Sequence, residues 1–504
     1  MRKLPIGIRD FKELRENDYI YVDKTEYIYN FIRDCKYYFF TRPKGFGKSL
    51  LLSTIEYIYK GEKELFKGLY IYDKWNWTKT YPVIKIDFQD IKIKDSKDLL
   101  NKLKQILKGY YRYFSIDIKL KPYYGDSIYK DLSILVEQVY EKYGKQVVVL
   151  VNEYDKPLLD VITNKKEAEK VRNILRSFYN GLKGADKELE FLLLMGTSLN
   201  PLLTFFGGLN NLMRATTYWK VENMCGFTQQ EILHYFKDYL NDVDMDQLKE
   251  WYNGYSFGKN KLYNPYDILM FLSNDKKIDS YWYKQTDPSV LLDLIEQEKY
   301  FVPYVENSYN DDFEHFDIEM MYIESLMFKM GYLTIKEQIN GDRGVEYILA
   351  FPNKEVRICF NQDILNLIAN WSNKEEIVKS AQKLKNILEK EDIKLIKDEL
   401  EILINRIKDE WIGYGCLMVV FSILYATGLT VITNSYKSQE KIELTVLTDK
   451  VVYLFKLKLK NENTSKDPEK HLNYSEFSKI YVINVEFDKD NKKISDFQFE
   501  TKIN

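Results

Sequence analysis

A segment that could bind phosphate lies near the start of the sequence. Residues 42–49 read RPKGFGKS; the apolar run KYYFF comes before them and the helical pattern LLLSTIEYIY follows. In such a strand–loop–helix arrangement the backbone N–H groups of the loop and of the first helical turn point at an anion, and the helix dipole favours its negative charge. We therefore expect Lys48 to reach the β- and γ-phosphates of a nucleotide, and the Ser49 hydroxyl to bind Mg²⁺.

The predicted phosphate loop departs from the pattern GxxxxGK(S/T) at its first position, where Arg42 stands in place of glycine. The alternative is a simple turn at Gly47 followed by a solvated lysine at the start of a helix. The flanking strand and helix favour the phosphate loop, with ATP as its ligand and Mg²⁺ as its metal. The predicted phosphate-binding residues are Arg42, Gly45, Gly47, Lys48, Ser49 and Leu50.

A second strand ends in polar residues that suit the same chemistry. The run QVVVLV is followed by NEYD at residues 152–155. A P-loop ATPase needs one carboxylate near Mg²⁺ and one that polarises the attacking water, and Glu153 suits the catalytic role. Asn152 stands where the metal-supporting Asp is expected and brings no charge, although Asp155 or Asp87 could compensate. We predict a metal site of Ser49, Asn152 and Asp155. Nucleotide binding should tolerate Asn in place of Asp at position 152 better than hydrolysis does. The alternative is a strand followed by an ordinary polar loop.

Apolar and helical patterns alternate over the first part of the chain. Buried strands are predicted at residues 36–40, 83–88, 146–151 and 191–196, with helical patterns between them. This alternation predicts an α/β fold with a parallel sheet covered by helices on both faces. The pattern then becomes mainly helical, and short strands follow a charged helical stretch near the end. The predicted domains are residues 1–215 (P-loop), 216–375 (mainly helical lid or linker) and 376–504 (C-terminal α/β).

Composition limits the classes of function. The 74 basic and 76 acidic residues nearly cancel, so a nucleic-acid site would have to be a local patch. Four cysteines without a CxxC pair argue against a zinc site or a disulfide framework and fit a reducing cytosol. The N-terminus lacks a signal-peptide pattern, and the longest apolar run, residues 416–425, is shorter than the ~20 residues that cross a bilayer. We expect a cytoplasmic protein that binds no membrane, with this run as a buried helix.

An ordered series of motifs resembles the AAA-ATPase-like family that is found with a C-terminal PD-(D/E)XK nuclease-like domain. The motifs are LPIGIRDFKELRENDYIYVDKT (4–25), TRPKGFGKSLLLSTI (41–55), VNEYDKPLLD (151–160), FFGGLNNL (205–212), CGFTQQEI (225–232), WYNGYSFG (251–258), LYNPYDIL (262–269), GYLTIK (331–336) and FPNKEV (351–356). The resemblance implies a P-loop fold of the AAA type, ATP as ligand, and Lys48, Ser49 and Glu153 in the roles described above. The family itself typically carries an Arg-Pro loop.

Two departures from the family concern hydrolysis. Asn152 replaces the usual Asp, and MGTSLNPLLTFF (195–206) replaces a polar, Lys-containing segment in which a γ-phosphate sensor is expected. Both indicate reduced hydrolysis. Tyr21, Asp23 and Lys24 belong to the N-terminal signature, but the sequence assigns them no chemical role.

The C-terminal resemblance implies a metal site that keeps one carboxylate and has the charge of the other reversed. In the segment 440–459, Glu443 takes the family's Asp position, Lys456 the Glu position and Lys458 the Lys position. A cation at position 456 would repel Mg²⁺ instead of holding it. The family's helix with Gln and Tyr is also hard to find between residues 460 and 479. We expect a degenerate nuclease fold without cleavage, whose lysine face could contact nucleic acid; the alternative is an ordinary half-buried strand with solvated lysines.

The leading hypothesis is therefore an ATP-binding protein with weak hydrolysis and an inactive nuclease-like domain. One alternative is an active ATP-dependent nuclease. The other is a non-enzymatic scaffold, gated by nucleotide, that binds nucleic acid or protein. Because AAA relatives often form rings, a homo-oligomer is also predicted, although no arginine finger can be assigned.

Overall fold

The computed structural model describes residues 2–117, 128, 131–197, 212–215, 219–303, 308–310, 323–341, 344–438, 441–460 and 477–503. Contacts divide the chain into two compact units. Unit 1 comprises Met1–Thr286, Asn310–Lys336 and Arg343–Val345; unit 2 comprises Asp287–Tyr309, Glu337–Asp342 and Glu346–Asn504. The division into domains at residues 215 and 375 stays a prediction.

The helices and strands follow one another along the described residues. The helices are α1 (Phe11–Glu16), α2 (Thr25–Asp34), α3 (Lys48–Lys60), α4 (Ser96–Tyr113), α5 (Asp131–Tyr143), α6 (Lys156–Leu159), α7 (Lys165–Asn180), α8 (Gln229–Tyr235), α9 (Met245–Tyr252), α10 (Pro265–Ser273), α11 (Tyr281–Gln285), α12 (Ser289–Gln297), α13 (Ile323–Met330), α14 (Lys354–Ile368), α15 (Lys374–Glu389), α16 (Ile393–Ile404) and α17 (Gly415–Ala426). The strands are β1 (Tyr37–Thr41), β2 (Val83–Asp87), β3 (Val147–Asn152), β4 (Leu189–Gly196), β5 (Met213–Arg214), β6 (Asn253–Ser256), β7 (Lys261–Tyr263), β8 (Ser308–Asn310), β9 (Thr334–Gly341), β10 (Gly344–Ala350), β11 (Thr430–Ser438), β12 (Lys441–Leu447), β13 (Val451–Leu459), β14 (Lys479–Asp488) and β15 (Lys493–Ile503).

Unit 1 is built on a parallel sheet of order β2–β3–β4–β1–β5. Every residue of β1 and of β3 is buried. Because successive side chains of a strand point to opposite faces, both faces of the sheet centre must be covered. On one face, Phe31 of α2 stacks on Tyr38 of β1, and Tyr59 of α3 packs against Phe191 of β4. The predicted parallel α/β sheet is confirmed.

The predicted mainly helical middle part also contains strands. Helices α8 to α14 alternate with the antiparallel pair β6 and β7 and with strands β8 to β10, which form a sheet of order β8–β10–β9. These strands in residues 216–375 were not predicted. Strands β6, β7 and β8 have only three or four residues, and in β9 the apolar residues Ile335 and Ile339 are four apart, a spacing that also fits a helix.

Unit 2 contains a mixed sheet of order β11–β12–β13–β14–β15, in which only β13 and β14 run parallel. Helix α17 packs against this sheet, and all of its residues are buried. The expected buried helix at residues 416–425 is thereby confirmed. Among the described residues, no helix combines the length and apolar character needed to span a bilayer.

Candidate functional site

The loop between β1 and α3 owes its conformation to two glycines. Gly45 and Gly47 both have φ of +86°, in the left-handed region that residues with a Cβ rarely adopt. A Cβ at Gly45 would lie 2.6 Å from Oδ1 of Asn264, so this position also needs glycine for space. Gly47 directly precedes α3, whose 13 residues place free N–H groups and a positive dipole end at the loop. The backbone is therefore shaped for an anion.

Lys48 is folded back onto this loop. Its Nζ donates to the carbonyl oxygens of Arg42 at 2.8 Å and Pro43 at 3.2 Å, and lies 3.1 Å from Oε1 of Glu153. Only 4% of the Lys48 side chain is exposed, so these contacts compensate a nearly buried charge. The two residues predicted to bind phosphate and to activate water thus share one site, where phosphate oxygens would compete with Glu153 for the ammonium group.

Glu153 is held by a second polar partner. Thr197 directly follows β4, and its Oγ1 donates to Oε2 of Glu153 at 3.3 Å. Glu153 has φ of +51°, a left-handed conformation that costs about 1–3 kcal/mol and is concentrated at functional sites. Thr197 was not predicted to belong to the site, although it supplies a hydroxyl group directly after the fourth strand, within the segment 195–206. Residues 198–206 lie outside the described residues.

Ser49 contacts the polar end of the neighbouring strands. Nδ2 of Asn152 lies 3.1 Å from Oγ of Ser49 and 3.1 Å from Oδ1 of Asp87, which pairs with Asn152 across β2 and β3. The side-chain amide of Gln89 lies 3.0 Å from the same Ser49 oxygen. Oδ1 of Asn152 is buried and has no hydrogen-bond partner in the described part of the chain. This cluster offers oxygen atoms of the kind that Mg²⁺ binds.

Two predicted site residues are directed elsewhere. Oδ1 of Asp155, predicted as a metal ligand, accepts the N–H of Thr197 at 3.3 Å and packs against Gly196 of β4. The Arg42 guanidinium is buried between the rings of Phe40 and Phe257, and burial lowers its pKa to about 10. Its backbone N–H donates to the carbonyl oxygen of Gly196 at 3.2 Å, so Arg42 holds the loop against β4, and it is not among the residues that line the cavity described below.

A cavity of about 350 Å³ lies within unit 1 and opens onto the loop. Its volume is within the range of small-molecule sites. The residues of the phosphate loop from Lys44 to Leu51 line it together with Glu153 and Gln89. Its apolar wall comes from the N-terminal signature and from the middle part of the chain: Ile8, Ile20, Val22, Phe227, Phe236 and Leu269.

The N-terminal signature has structural roles next to this cavity. Oδ1 of Asp23 accepts hydrogen bonds from the N–H and hydroxyl of Thr25 at the start of α2. Nζ of Lys24 forms an ion pair of 2.5 Å with Glu231, which also closes the capping box of α8. These contacts join the signature to the motif CGFTQQEI, so both motifs build one wall of the cavity.

Two side chains from a distant part of the sequence, Asn264 and Trp282, hold the phosphate loop in place; we call this pair the clamp. Nδ2 of Asn264 and Nε1 of Trp282 both donate to the carbonyl oxygen of Lys44, at 3.0 Å and 2.8 Å. Asn264 also caps α10 by accepting the N–H of Tyr266. Neither residue was predicted to belong to the site, although Asn264 lies in the motif LYNPYDIL.

In unit 2, antiparallel pairing places Glu443 of β12 directly opposite Lys456 of β13. Lys458 lies on the same face, because side chains two residues apart share a face of a strand. Glu443 forms an ion pair of 2.8 Å with Lys441, and Lys458 forms one of 2.8 Å with Glu486. The hydrogen bond from Lys458 lowers the pKa of Glu486. Among the described residues, no group of three His, Cys, Asp or Glu side chains is arranged to hold a metal.

The parallel sheet, the glycine-shaped loop and the lysine at the start of α3 define a P-loop-like α/β domain. Residues 5–200 match the model of the AAA-ATPase-like family, described as predicted AAA-ATPase. The chain is 30% identical over 523 residues to an uncharacterised protein in the vnfD 5′ region of Azotobacter chroococcum mcd 1, with 99% of each chain covered. The chain therefore belongs to the same family as that protein, and its N-terminal part is an AAA-ATPase-like domain. No solved structure matches the chain.

Proposed function

We propose that unit 1 binds ATP together with Mg²⁺ in the cavity beside the phosphate loop. The observation that carries this proposal is the position of Lys48, which is nearly buried in the glycine-shaped loop and within reach of Glu153. The backbone N–H groups at the start of α3 and the Lys48 ammonium would bind the phosphates. The apolar wall around Ile20 and Phe227 would cover the base.

The residues around Ser49 fit a divalent cation. Ser49 Oγ, Asn152 and Asp87 lie together, and the buried Oδ1 of Asn152 has no partner among the described residues. When bound there, Mg²⁺ would neutralise charge on the phosphates. Glu153 would orient and deprotonate the attacking water, but its carboxylate is shared with Lys48 and Thr197. Because Asn152 carries no charge, we infer that the site binds ATP but hydrolyses it slowly.

Cys225 provides a natural reporter of this proposal. It lines the cavity, it is buried, and burial raises the pKa of its thiol to about 11. Because the thiolate is the reactive form, alkylation by iodoacetamide at pH 8 should be slow and should accelerate with rising pH. Saturating Mg²⁺-ATP should slow alkylation of Cys225 by about tenfold, measured by mass spectrometry, because the cavity is then filled.

Cys35 serves as the control for this experiment because it is not among the residues that line the cavity. Its labelling rate should be unchanged by ATP. Equal labelling of Cys225 with and without ATP, together with no saturable binding of a fluorescent ATP analogue, would exclude ATP from the cavity. Phosphate release measured in parallel separates a hydrolase from a nucleotide-gated scaffold.

Removing one of the two clamp hydrogen bonds to the Lys44 carbonyl should lower ATP affinity only modestly. Trp282→Phe removes the indole donor to the Lys44 carbonyl, which keeps Asn264 as its remaining donor. One neutral hydrogen bond contributes about 0.5–1.5 kcal/mol, so ATP affinity should fall roughly threefold to tenfold. Trp77→Phe is the matched control, since its Nε1 donates to the Tyr72 carbonyl at 2.8 Å. An equal loss of affinity in both variants would show that the clamp does not position the loop.

For unit 2 we infer a nuclease-like domain that does not cleave DNA. The order of elements α17, β11, β12, β13 and β14, with only the last two strands parallel, supports this resemblance. The family's helix is hard to find in the sequence between residues 460 and 479, and residues 461–476 of that segment lie outside the described residues. Glu443 is paired with Lys441, and the position that needs a second carboxylate holds Lys456. Binding of nucleic acid on the lysine face, and assembly into a homo-oligomer, are further proposals.

Lys456→Glu tests the loss of this metal site. The substitution places a carboxylate directly opposite Glu443 and should create an Mg²⁺ affinity in the millimolar range, which isothermal titration calorimetry can detect. Lys450→Glu, in the turn before β13, is the control with the same charge change. DNA cleavage by the wild-type protein that depends on Mg²⁺ and disappears in Glu443→Ala would show that unit 2 is an active nuclease.

A further inference from the structure

Asn152 stands where a charged Asp is expected, and it has a charged neighbour on the adjacent strand. Asp87 is the last residue of β2 and pairs with Asn152, the last residue of β3. The Asn152 amide donates to Oδ1 of Asp87 and lies at the same distance, 3.1 Å, from Oγ of Ser49. Asn152 is fully buried and Asp87 is exposed. The neutral amide thus lies between the hydroxyl of the phosphate loop and an accessible carboxylate.

We propose that Asp87 supplies the carboxylate for the divalent cation, in place of residue 152. This inference rests on the proposed binding of Mg²⁺-ATP. Magnesium keeps several of its waters and needs only one or two carboxylates besides the phosphates, so an exposed carboxylate that shares the Asn152 amide with Ser49 suits it. The other candidate, Asp155, is fully buried and accepts the N–H of Thr197.

Asn152 acquires a different role from the one predicted for it. Through Nδ2 it holds the Asp87 carboxylate, while the N–H of Gln89 donates to the same oxygen at 2.8 Å. Hydrogen bonds of this kind orient a carboxylate for its metal. The negative charge of the proposed metal site is thus carried by Asp87 of β2 instead of residue 152 of β3, and the Asn152 amide orients the Asp87 carboxylate.

The test compares ATP affinity with Mg²⁺ and with EDTA, using fluorescence titration of an ATP analogue. In the wild-type protein Mg²⁺ should tighten binding. In Asp87→Asn this gain should fall by about tenfold, while affinity in EDTA stays equal or rises slightly, because a charge near the phosphates is lost. Asn can still accept the N–H of Gln89, so the turn is retained.

Two further variants complete the test. Asp87→Ser removes the same charge and can also accept this hydrogen bond, so it replaces Asp87→Asn should that variant not fold. Asp73→Asn removes a carboxylate from an exposed 3₁₀ turn of unit 1 and should leave the Mg²⁺ gain unchanged. An undiminished gain in the folded Asp87 variants would overturn the proposal. Absence of ATP binding in the wild-type protein would instead contradict the proposed function.

Discussion

Replacing Lys48 by alanine should lower the affinity for ATP by at least about a hundredfold. The Lys48 ammonium is the side-chain cation that we propose to bind the phosphates, and two charge-assisted hydrogen bonds contribute about 1.5–3 kcal/mol each. A loss of about 3 kcal/mol corresponds to roughly a hundredfold in Kd. Titration with a fluorescent ATP analogue measures this change directly.

The fold should survive this substitution. Lys48→Ala leaves Glu153 without its ion pair, but 17% of the Glu153 side chain is exposed and Thr197 still donates to it. The free energy of unfolding should therefore fall by only about 1–2 kcal/mol. Lys60→Ala, at the other end of α3, is the matched control and should bind ATP normally. If Lys48→Ala is folded and keeps wild-type affinity, the loop does not bind the nucleotide phosphates.

Asn152→Asp should have opposite effects with and without metal. In EDTA the new carboxylate faces Asp87 at about the present 3.1 Å contact, and repulsion of about 1–4 kcal/mol lowers stability. With Mg²⁺-ATP the two carboxylates face the cation, so affinity and turnover should rise about tenfold. Thermal unfolding in EDTA and in Mg²⁺-ATP, together with phosphate release, measures both effects.

The same repulsion sets the direction in which the stability of Asn152→Asp changes with pH. Two close carboxylates raise the pKa of one of them in the folded protein above its unfolded value. The folded state then binds a proton more readily, so stability in EDTA should increase as the pH falls through that raised pKa. The wild type should lack this increase, because Asn152 is neutral. An Asn152→Asp variant that is as stable as wild type at pH 8 in EDTA would place residue 152 away from Asp87.

The sheet and the loop of unit 1 were predictable because their signals are local. Buried parallel strands produce continuous apolar runs, and a GKS after such a run predicts the start of a helix and its anion site. Asp87 is the penultimate residue of one such run and Asn152 directly follows another, so their proximity at the carboxyl ends of the strands could have been predicted. Choosing between Asp87 and Asp155 required the side-chain directions, which depend on the turn after β3, where Glu153 has a positive φ.

The clamp and the role of Arg42 could not be predicted, since they depend on contacts across long stretches of sequence. The Lys44 carbonyl meets Asn264 and Trp282, more than 200 residues further along the chain. Arg42 was predicted to bind phosphate from its position in the loop, yet its guanidinium packs on the rings of Phe40 and Phe257. In unit 2, Glu443 forms an ion pair with Lys441 on its own strand, a contact that was not predicted from the sequence.

The distance in sequence between the loop and its clamp also affects when the loop can be held in place during synthesis of the chain. A ribosome adds about 5–20 residues per second, so Trp282 follows Lys44 by roughly 10 to 50 seconds during synthesis. A nascent chain that ends near residue 200 has completed the segment matched by the family model but lacks both donors to the Lys44 carbonyl. Until Trp282 has left the exit tunnel, the nascent protein should therefore bind ATP more weakly than the finished protein does, although its sheet can form well before that point.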